Sequence, residues 1–163
     1  MSSEQVAAPP LTNTGQGFGT PAYRNFVLYT LTLVYTLNFI DRILIGVVAQ
    51  PIIEEFRLQD WQFGLLSGFG FALMYTLMGI PIARLSERVN RVRIIAASVI
   101  IWSVMTTLCG FAGGFLSLLV FRIGVGIGEA GCTPPANSLI ADYFPPRSRA
   151  RALATYSLGI TIG

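Results

Sequence analysis

The strongest constraint in this sequence is a succession of apolar runs, each about as long as a lipid bilayer core is thick. An α-helix rises about 1.5 Å per residue, so a hydrocarbon layer of about 30 Å takes about 20 residues to cross. Residues 25–50, 61–85, 94–110 and 115–144 are dominated by Leu, Val, Ile, Phe, Ala and Gly, and a further run occupies 151–163. Lipid offers no water to an unpaired backbone amide, so runs of this kind must be helices. They predict an all-α membrane protein with four complete transmembrane helices and the start of a fifth. Only 12% of the 163 residues are charged, against about a quarter in soluble domains. The chain has no histidine and no lysine, which argues against a histidine-based metal site and against a lysine-rich nucleic-acid binder. Cys109 and Cys132 lie inside apolar runs without C-x-x-C spacing and read as packing residues. No metal, cofactor or nucleic-acid partner is therefore expected.

Residues 1–24 are rich in Ser, Thr, Gly and Pro and lack a basic n-region, which predicts a mobile cytoplasmic tail rather than a cleaved signal peptide. Orientation follows from the arginines. Arg84, Arg88, Arg91 and Arg93 lie between the second and third spans, and Arg147, Arg149 and Arg151 follow the fourth. The loop between spans one and two holds only Arg57, beside Glu54, Glu55 and Asp60, and the loop between three and four is uncharged. Basic loops stay on the cytoplasmic side, so the N-terminus is predicted to be cytoplasmic, in a cell membrane crossed several times, the inner membrane if the source is bacterial.

Four ionisable residues fall inside the spans, Asp41 and Arg42 on the first and Arg122 and Glu129 on the fourth. Each costs about 2.5–3.5 kcal/mol at a lipid-facing helix centre, so together they should face one another or a watery cavity. Arg122 and Glu129 are two turns apart and project from one face about 10 Å from each other. Asp41 and Arg122 lie at similar depths beyond the midplane, where they can pair. Two blander readings stay open: Asp41-Arg42 marks the outer end of a shorter first helix, or the fourth-helix charges make a purely structural ion pair. Desolvation favours a neutral carboxyl and an adjacent guanidinium favours a charged one, so a conformation that separates such a pair can take up a proton. Asp41 and Glu129 are thus candidate proton carriers, with Arg42 and Arg122 as charge partners able to meet an anionic substrate.

The run Gly126-Ile127-Gly128-Glu129-Ala130-Gly131 matches the dinucleotide fingerprint but lacks its strand and parallel sheet. Gly124 with Gly128, and Gly64, Gly68 and Ala72, read instead as small-residue stripes for close helix packing. Pro134-Pro135 predicts a kink, break or hinge in the fourth helix.

Ala83-Arg84-Leu85-Ser86-Glu87-Arg88-Val89-Asn90-Arg91 resembles the loop motif of the major facilitator superfamily, and Arg122 followed by Gly126 resembles its fourth-helix R-x-x-x-G pattern. Asn38-Phe39-Ile40-Asp41-Arg42, Gly64-Leu65-Leu66, Trp102-Ser103 and Ala141-Asp142-Tyr143-Phe144 are similar to the spinster-like branch. Ala83, Glu87 and Val92 depart from the family loop, which has Gly, Asp and a base there. The resemblance implies a major-facilitator-type helical bundle of twelve spans, of which residues 25–163 are an incomplete N-terminal half, with the remaining C-terminal helices as its partners. It implies that Glu87, Arg88, Arg91 and Asp142 form a cytoplasmic gate and that Asn38, Arg42 and Arg122 meet the substrate. The expected activity is proton-coupled, alternating-access transport of an amphipathic, lysolipid- or sphingolipid-like substrate, not enzymatic catalysis. A carrier of small organic anions or drugs and a non-transporting scaffold subunit are the alternatives.

Overall fold

The computed structural model describes residues 19–163. The tail predicted over 1–24 lies outside the described residues up to 18, and its last residues are helical. Thr20 accepts the Tyr23 N–H at 3.4 Å and Pro21 occupies the first turn, where its missing donor costs nothing, so helix α1 runs Pro21–Val47. After it the sequence reading placed a polar connection. Instead, Ala49–Phe56 form a short helix, α2, closed by Arg57 in the left-handed region at φ 49°. Pro51 falls in the first turn of α2, so it blocks no hydrogen bond.

The second span is continuous over Asp60–Ser86. It comprises α3 (Asp60–Gly64), a π-helical turn (Leu65–Phe69) and α4 (Gly70–Ser86). A Cβ at Gly70 would come within 2.6 Å of the Leu65 carbonyl oxygen, so the turn requires glycine there. Helix α5 (Arg91–Cys109) begins earlier than its apolar run because the Asn90 side chain accepts the Val92 N–H at 3.0 Å. The fourth run divides into α6 (Phe115–Ala130) and α7 (Thr133–Tyr143), and the break at Gly131 and Cys132 lets Pro134 sit in the first turn of α7. Helix α8 (Pro146–Ile162) starts before the predicted 151, with Pro146 opening its first turn and Arg147 and Arg149 inside the helix. Four stretches, Pro21–Val47, Asp60–Ser86, Arg91–Cys109 and Phe115–Tyr143, are long and apolar enough to cross a membrane.

Helix α6 is seated between α4 and α5, α1 packs along α8, and α7 touches both groups. One apolar cluster joins α1, α5, α7 and α8 through Leu28, Leu31, Ile95, Ile140 and Tyr156. A second, around Leu58, Leu66 and Leu118, closes the opposite end of the bundle beneath α2. The α5–α6 approach is set by glycines. A Cβ on Gly124 would meet Met105 at 2.7 Å, one on Gly128 would meet the Trp102 backbone nitrogen at 2.7 Å, and one on Gly131 would strike Ser98. The stripe of Gly64, Gly68 and Ala72 differs from its expectation: nothing lies within 4 Å of a Cβ added at Gly64 or Gly68, so it packs no helix among the described residues.

These distances make a first prediction. Gly128→Ala should destabilise the protein by about 1–3 kcal/mol, because backbone rather than a flexible side-chain end must move. Gly113→Ala, in a loop with nothing within 4 Å of the added carbon, should stay within about 0.5 kcal/mol of wild type. Thermal unfolding of the two variants in detergent compares them directly.

Candidate functional site

The four intramembrane charges meet between α1 and α6 as two crossed ion pairs. Arg122 Nη1 donates to Asp41 Oδ2 at 3.1 Å, and Arg42 Nε donates to Glu129 Oε2 at 2.7 Å. Asp41 and Arg42 are neighbours in sequence, yet their partners stand two turns apart on α6. Successive residues of a helix point about 100° apart, and long side chains lean toward the helix N-terminus. The short Asp41 side chain therefore reaches its partner directly. The Arg42 side chain instead folds back over Phe39, with Cζ 5.2 Å from the ring centroid, and arrives at Glu129.

The two pairs differ in access. Asp41 and Arg122 are 7% and 5% exposed, and Glu129 is fully buried, whereas the Arg42 side chain retains 26% exposure. Asp41 also accepts from the Thr106 hydroxyl at 3.1 Å, so α5 contributes a third group to its carboxylate. This pair lies at one end of a cleft of about 370 Å³ that runs between α1, α5 and α6 to Ile52 and Glu55 of α2. Arg42 is bracketed by aromatic rings, with Cζ 5.1 Å from Phe71 and 4.6 Å from Tyr75. Phe71 also lies 5.5 Å from the Arg122 guanidinium carbon. Asn38 is buried with neither amide atom bonded among the described residues, and Glu129 Oε1 and Trp102 Nε1 share that condition.

The sequence reading placed all four charges on facing helices and paired Asp41 with Arg122, as the structure does. It left the partnership of Arg42 with Glu129 unassigned, and it missed Thr106, Phe39, Phe71 and Tyr75. Thr106 was visible as a hydroxyl inside an apolar run. The aromatics carried no signal, because Phe and Tyr recur throughout these spans.

At the arginine-rich end, Arg91 of α5 forms an ion pair with Asp142 of α7. Both line a cleft of about 500 Å³ shared with Glu87 and Arg88. The other two members of the expected network line that cleft without joining the pair. Glu87 caps the end of α4, is exposed, and forms no ion pair among the described residues, and Arg88 lies in the same turn. Both side chains reach the surface, so among the described residues the ionic tie between α5 and α7 is the Arg91–Asp142 pair, added to the apolar packing of Ile95 against Ile140.

A chain that buries two carboxylates and two guanidiniums against one another can hold either carboxylate charged while the pair is closed. An unpaired charge in a low-dielectric interior is costly, so separating either pair inside the bundle carries a penalty that pairing avoids. Of the two guanidiniums, that of Arg42 is the more accessible.

Comparison with known proteins gives a consistent result. Residues 31–163 match the model of the Major Facilitator Superfamily. An MFS-type efflux pump of Mycolicibacterium smegmatis is 39% identical over 132 residues, covering 81% of this chain and 31% of that protein. The D-galactonate transporter of Escherichia coli O6:H1 is 32% identical over 145 residues, 89% of this chain and 33% of that protein. Among solved structures, a bacterial homolog to the human lysosomal transporter Spinster, in an inward-facing and occupied conformation, is 63% identical with a TM-score of 0.85. That match covers 88% of this chain and 31% of the other. The chain thus spans about a third of the length of the relatives it matches.

Proposed function

Since this chain belongs to the major facilitator superfamily, on its spinster-like branch, we propose that the whole protein is a proton-coupled secondary active transporter, working by alternating access on an amphipathic lipid-like substrate. The observation that carries the reading is the crossed pairing of Asp41 with Arg122 and of Glu129 with Arg42. Helices α1 and α6 belong to different packed groups, α1 with α8 and α6 with α4 and α5. The two ion pairs bridge those groups, so a relative shift of the groups separates each carboxylate from its guanidinium. A carboxylate left unpaired within the low-dielectric cavity binds a proton, and re-forming the pair releases it, which ties protonation to conformation. Arg42, partly exposed and aromatic-lined, meets the substrate's polar head, with Asn38 one turn away on the same helix.

The placement of Arg84, Arg88, Arg91, Arg93 and Arg147 at one end favours a cytoplasmic location for that end and for the start of α1, in the inner membrane if the source is bacterial. The Arg91–Asp142 pair then acts as a cytoplasmic gate. Because it is partly exposed, its contribution is modest, about 0.2–1 kcal/mol. Arg91→Ala should therefore shift the ratio of inward-open to outward-open protein by about 1.5- to 5-fold toward inward-open, read by spin-label distances. An unchanged ratio removes the gate assignment.

A second reading, carriage of a small organic acid, is favoured by the likeness to a D-galactonate transporter and by two guanidiniums beside the cavity. The test is uptake by the full-length protein in liposomes under an imposed pH gradient, with a labelled lysophospholipid and a labelled sugar acid in parallel. Gradient-driven uptake of the first supports the main reading, and uptake of the sugar acid alone supports the second. No gradient-dependent flux of either would leave the scaffold alternative standing.

A further inference from the structure

We propose that the cavity between the starts of α1 and α8 binds the phosphate head of an anionic phospholipid, a site apart from the crossed ion pairs and independent of proton coupling. The cavity measures about 390 Å³, within the range of small-molecule sites, and lies at the arginine-rich end of the bundle. Its cations are Arg24, in the first turn of α1, and Arg151, in the second turn of α8. Asn25 and Ser148 add polar groups, and none of the lining residues is an Asp or Glu. The neighbouring charges are engaged elsewhere: Asp142 pairs with Arg91, and Arg149 donates to the Ala141 carbonyl at 2.6 Å. Arg24 Nε donates to the Gly19 carbonyl at 3.0 Å, which holds that side chain at the start of its helix. The Arg151 guanidinium has no hydrogen-bond or ion-pair partner among the described residues. Two guanidiniums over one cavity without a carboxylate call for an anion, and their planar forks match the oxygens of a phosphate.

The apolar surface that continues from the cavity selects a lipid over a free anion. Buried Leu28 and Ala152 form the floor, and Tyr29 stands exposed at the rim, where tyrosines mark the boundary between headgroups and hydrocarbon. From that rim an exposed apolar stripe runs down each helix. Leu33 follows Tyr29 by four residues on α1, and Leu158 and Ile162 follow Arg151 by seven and eleven on α8, so each shares a face with a residue that lines the cavity. Leu33, Leu158 and Ile162 are 59%, 52% and 69% exposed. Both helices start at the cavity and stay packed along their length, with Tyr35 stacked on Tyr156 at 4.4 Å and Gly159 set against Thr32 and Tyr35. The two stripes therefore flank one seam, and the acyl chains of a lipid whose phosphate sits between Arg24 and Arg151 lie along it. Inorganic phosphate would fill the cavity and leave those side chains uncovered.

The experiment titrates the full-length protein in mixed micelles with fluorescent phosphatidylglycerol, using phosphatidylcholine of the same chains and inorganic phosphate as competitors. Wild type should prefer phosphatidylglycerol, because the choline head carries its own cation; no preference overturns the proposal. One arginine near an anionic lipid surface contributes about fivefold in affinity, so Arg24→Gln and Arg151→Gln should each weaken phosphatidylglycerol binding by about fivefold and together by about 25-fold. Arg84→Gln removes the same charge at the same end of the bundle but outside the cavity, and should change binding by less than about twofold. Equal losses in Arg84→Gln and Arg151→Gln would mean diffuse attraction to a basic surface and no site. If Arg42→Gln removes the binding while Arg151→Gln leaves it intact, the lipid occupies the central site as cargo, and the peripheral site is overturned. Displacement of the lipid by an equal concentration of inorganic phosphate replaces the lipid assignment with a free anion. Should Arg24→Gln fail to fold, Arg151→Gln, on an exposed side chain, carries the same test.

Discussion

Replacing Arg122 by leucine should destabilise the protein by about 3–5 kcal/mol, because it strands a buried carboxylate without its partner. The guanidinium is 5% exposed and bonds Asp41 at 3.1 Å, and the only other side-chain donor to that carboxylate among the described residues is the Thr106 hydroxyl. Without Arg122, Asp41 is a buried anion held by one neutral hydrogen bond, and burying an ion without its partner costs several kcal/mol even after relaxation. The double variant Asp41→Asn with Arg122→Leu removes both charges and should recover most of the loss, because the charge-desolvation penalty on each side disappears together. Unfolding of the full-length protein in mixed micelles measures the cycle. If the double variant is as unstable as the sum of the two singles, the two groups do not interact and the pair has no energetic meaning. Arg91→Ala, which breaks a partly exposed pair at the arginine-rich end, should cost less than about 1 kcal/mol in the same assay.

The contrast between those two arginines shows what a sequence of this kind discloses. That Arg122 must be buried and paired was legible, because a charge inside a run that crosses lipid has few tolerable surroundings. Its pairing with Asp41 followed from depth, since both sit toward the same end of antiparallel spans. The Arg42–Glu129 pair was not legible, because it depends on a side chain folding back along its own helix, and spacing alone does not encode that reach. The spans were read from hydropathy, but their ends moved where a side chain caps the helix, as Thr20 and Asn90 do, or where a proline opens its first turn, as Pro146 does. Helix α2 escaped notice because eight residues with charges at Glu54 and Glu55 resemble a loop until one side packs on the Leu58–Leu118 cluster. The π-helical turn at Leu65–Phe69 left no trace in an apolar, glycine-rich run, yet it sets the register from which Phe71 and Tyr75 reach Arg42.

Glu129→Gln should abolish pH-driven accumulation of substrate while sparing its exchange across a membrane with equal pH on both sides. A pH difference of one unit stores about 1.4 kcal/mol per proton, enough to concentrate a substrate moving with one proton by about tenfold. That ratio should fall to about 1 in the variant, because an amide binds no proton at any pH of the assay and the cycle loses its link to the gradient. Glutamine has nearly the shape of the glutamic acid it replaces, and its carbonyl oxygen can still accept from Arg42 Nε, now at 2.7 Å from Oε2. Arg42 keeps 26% exposure, so its charge is not stranded as that of Arg122 would be, and the fold should survive. If Glu129 carries the coupling proton, wild-type exchange varies with pH, whereas exchange by the variant is flat over the same range. Asp41→Asn supplies the comparison that decides between the two carboxyls. If Asp41→Asn removes accumulation and Glu129→Gln does not, the proton rides on Asp41 and the Arg42 pair serves the substrate. If both variants still concentrate substrate, neither carboxyl carries the coupling proton, and the buried pairs are structural ties between α1 and α6.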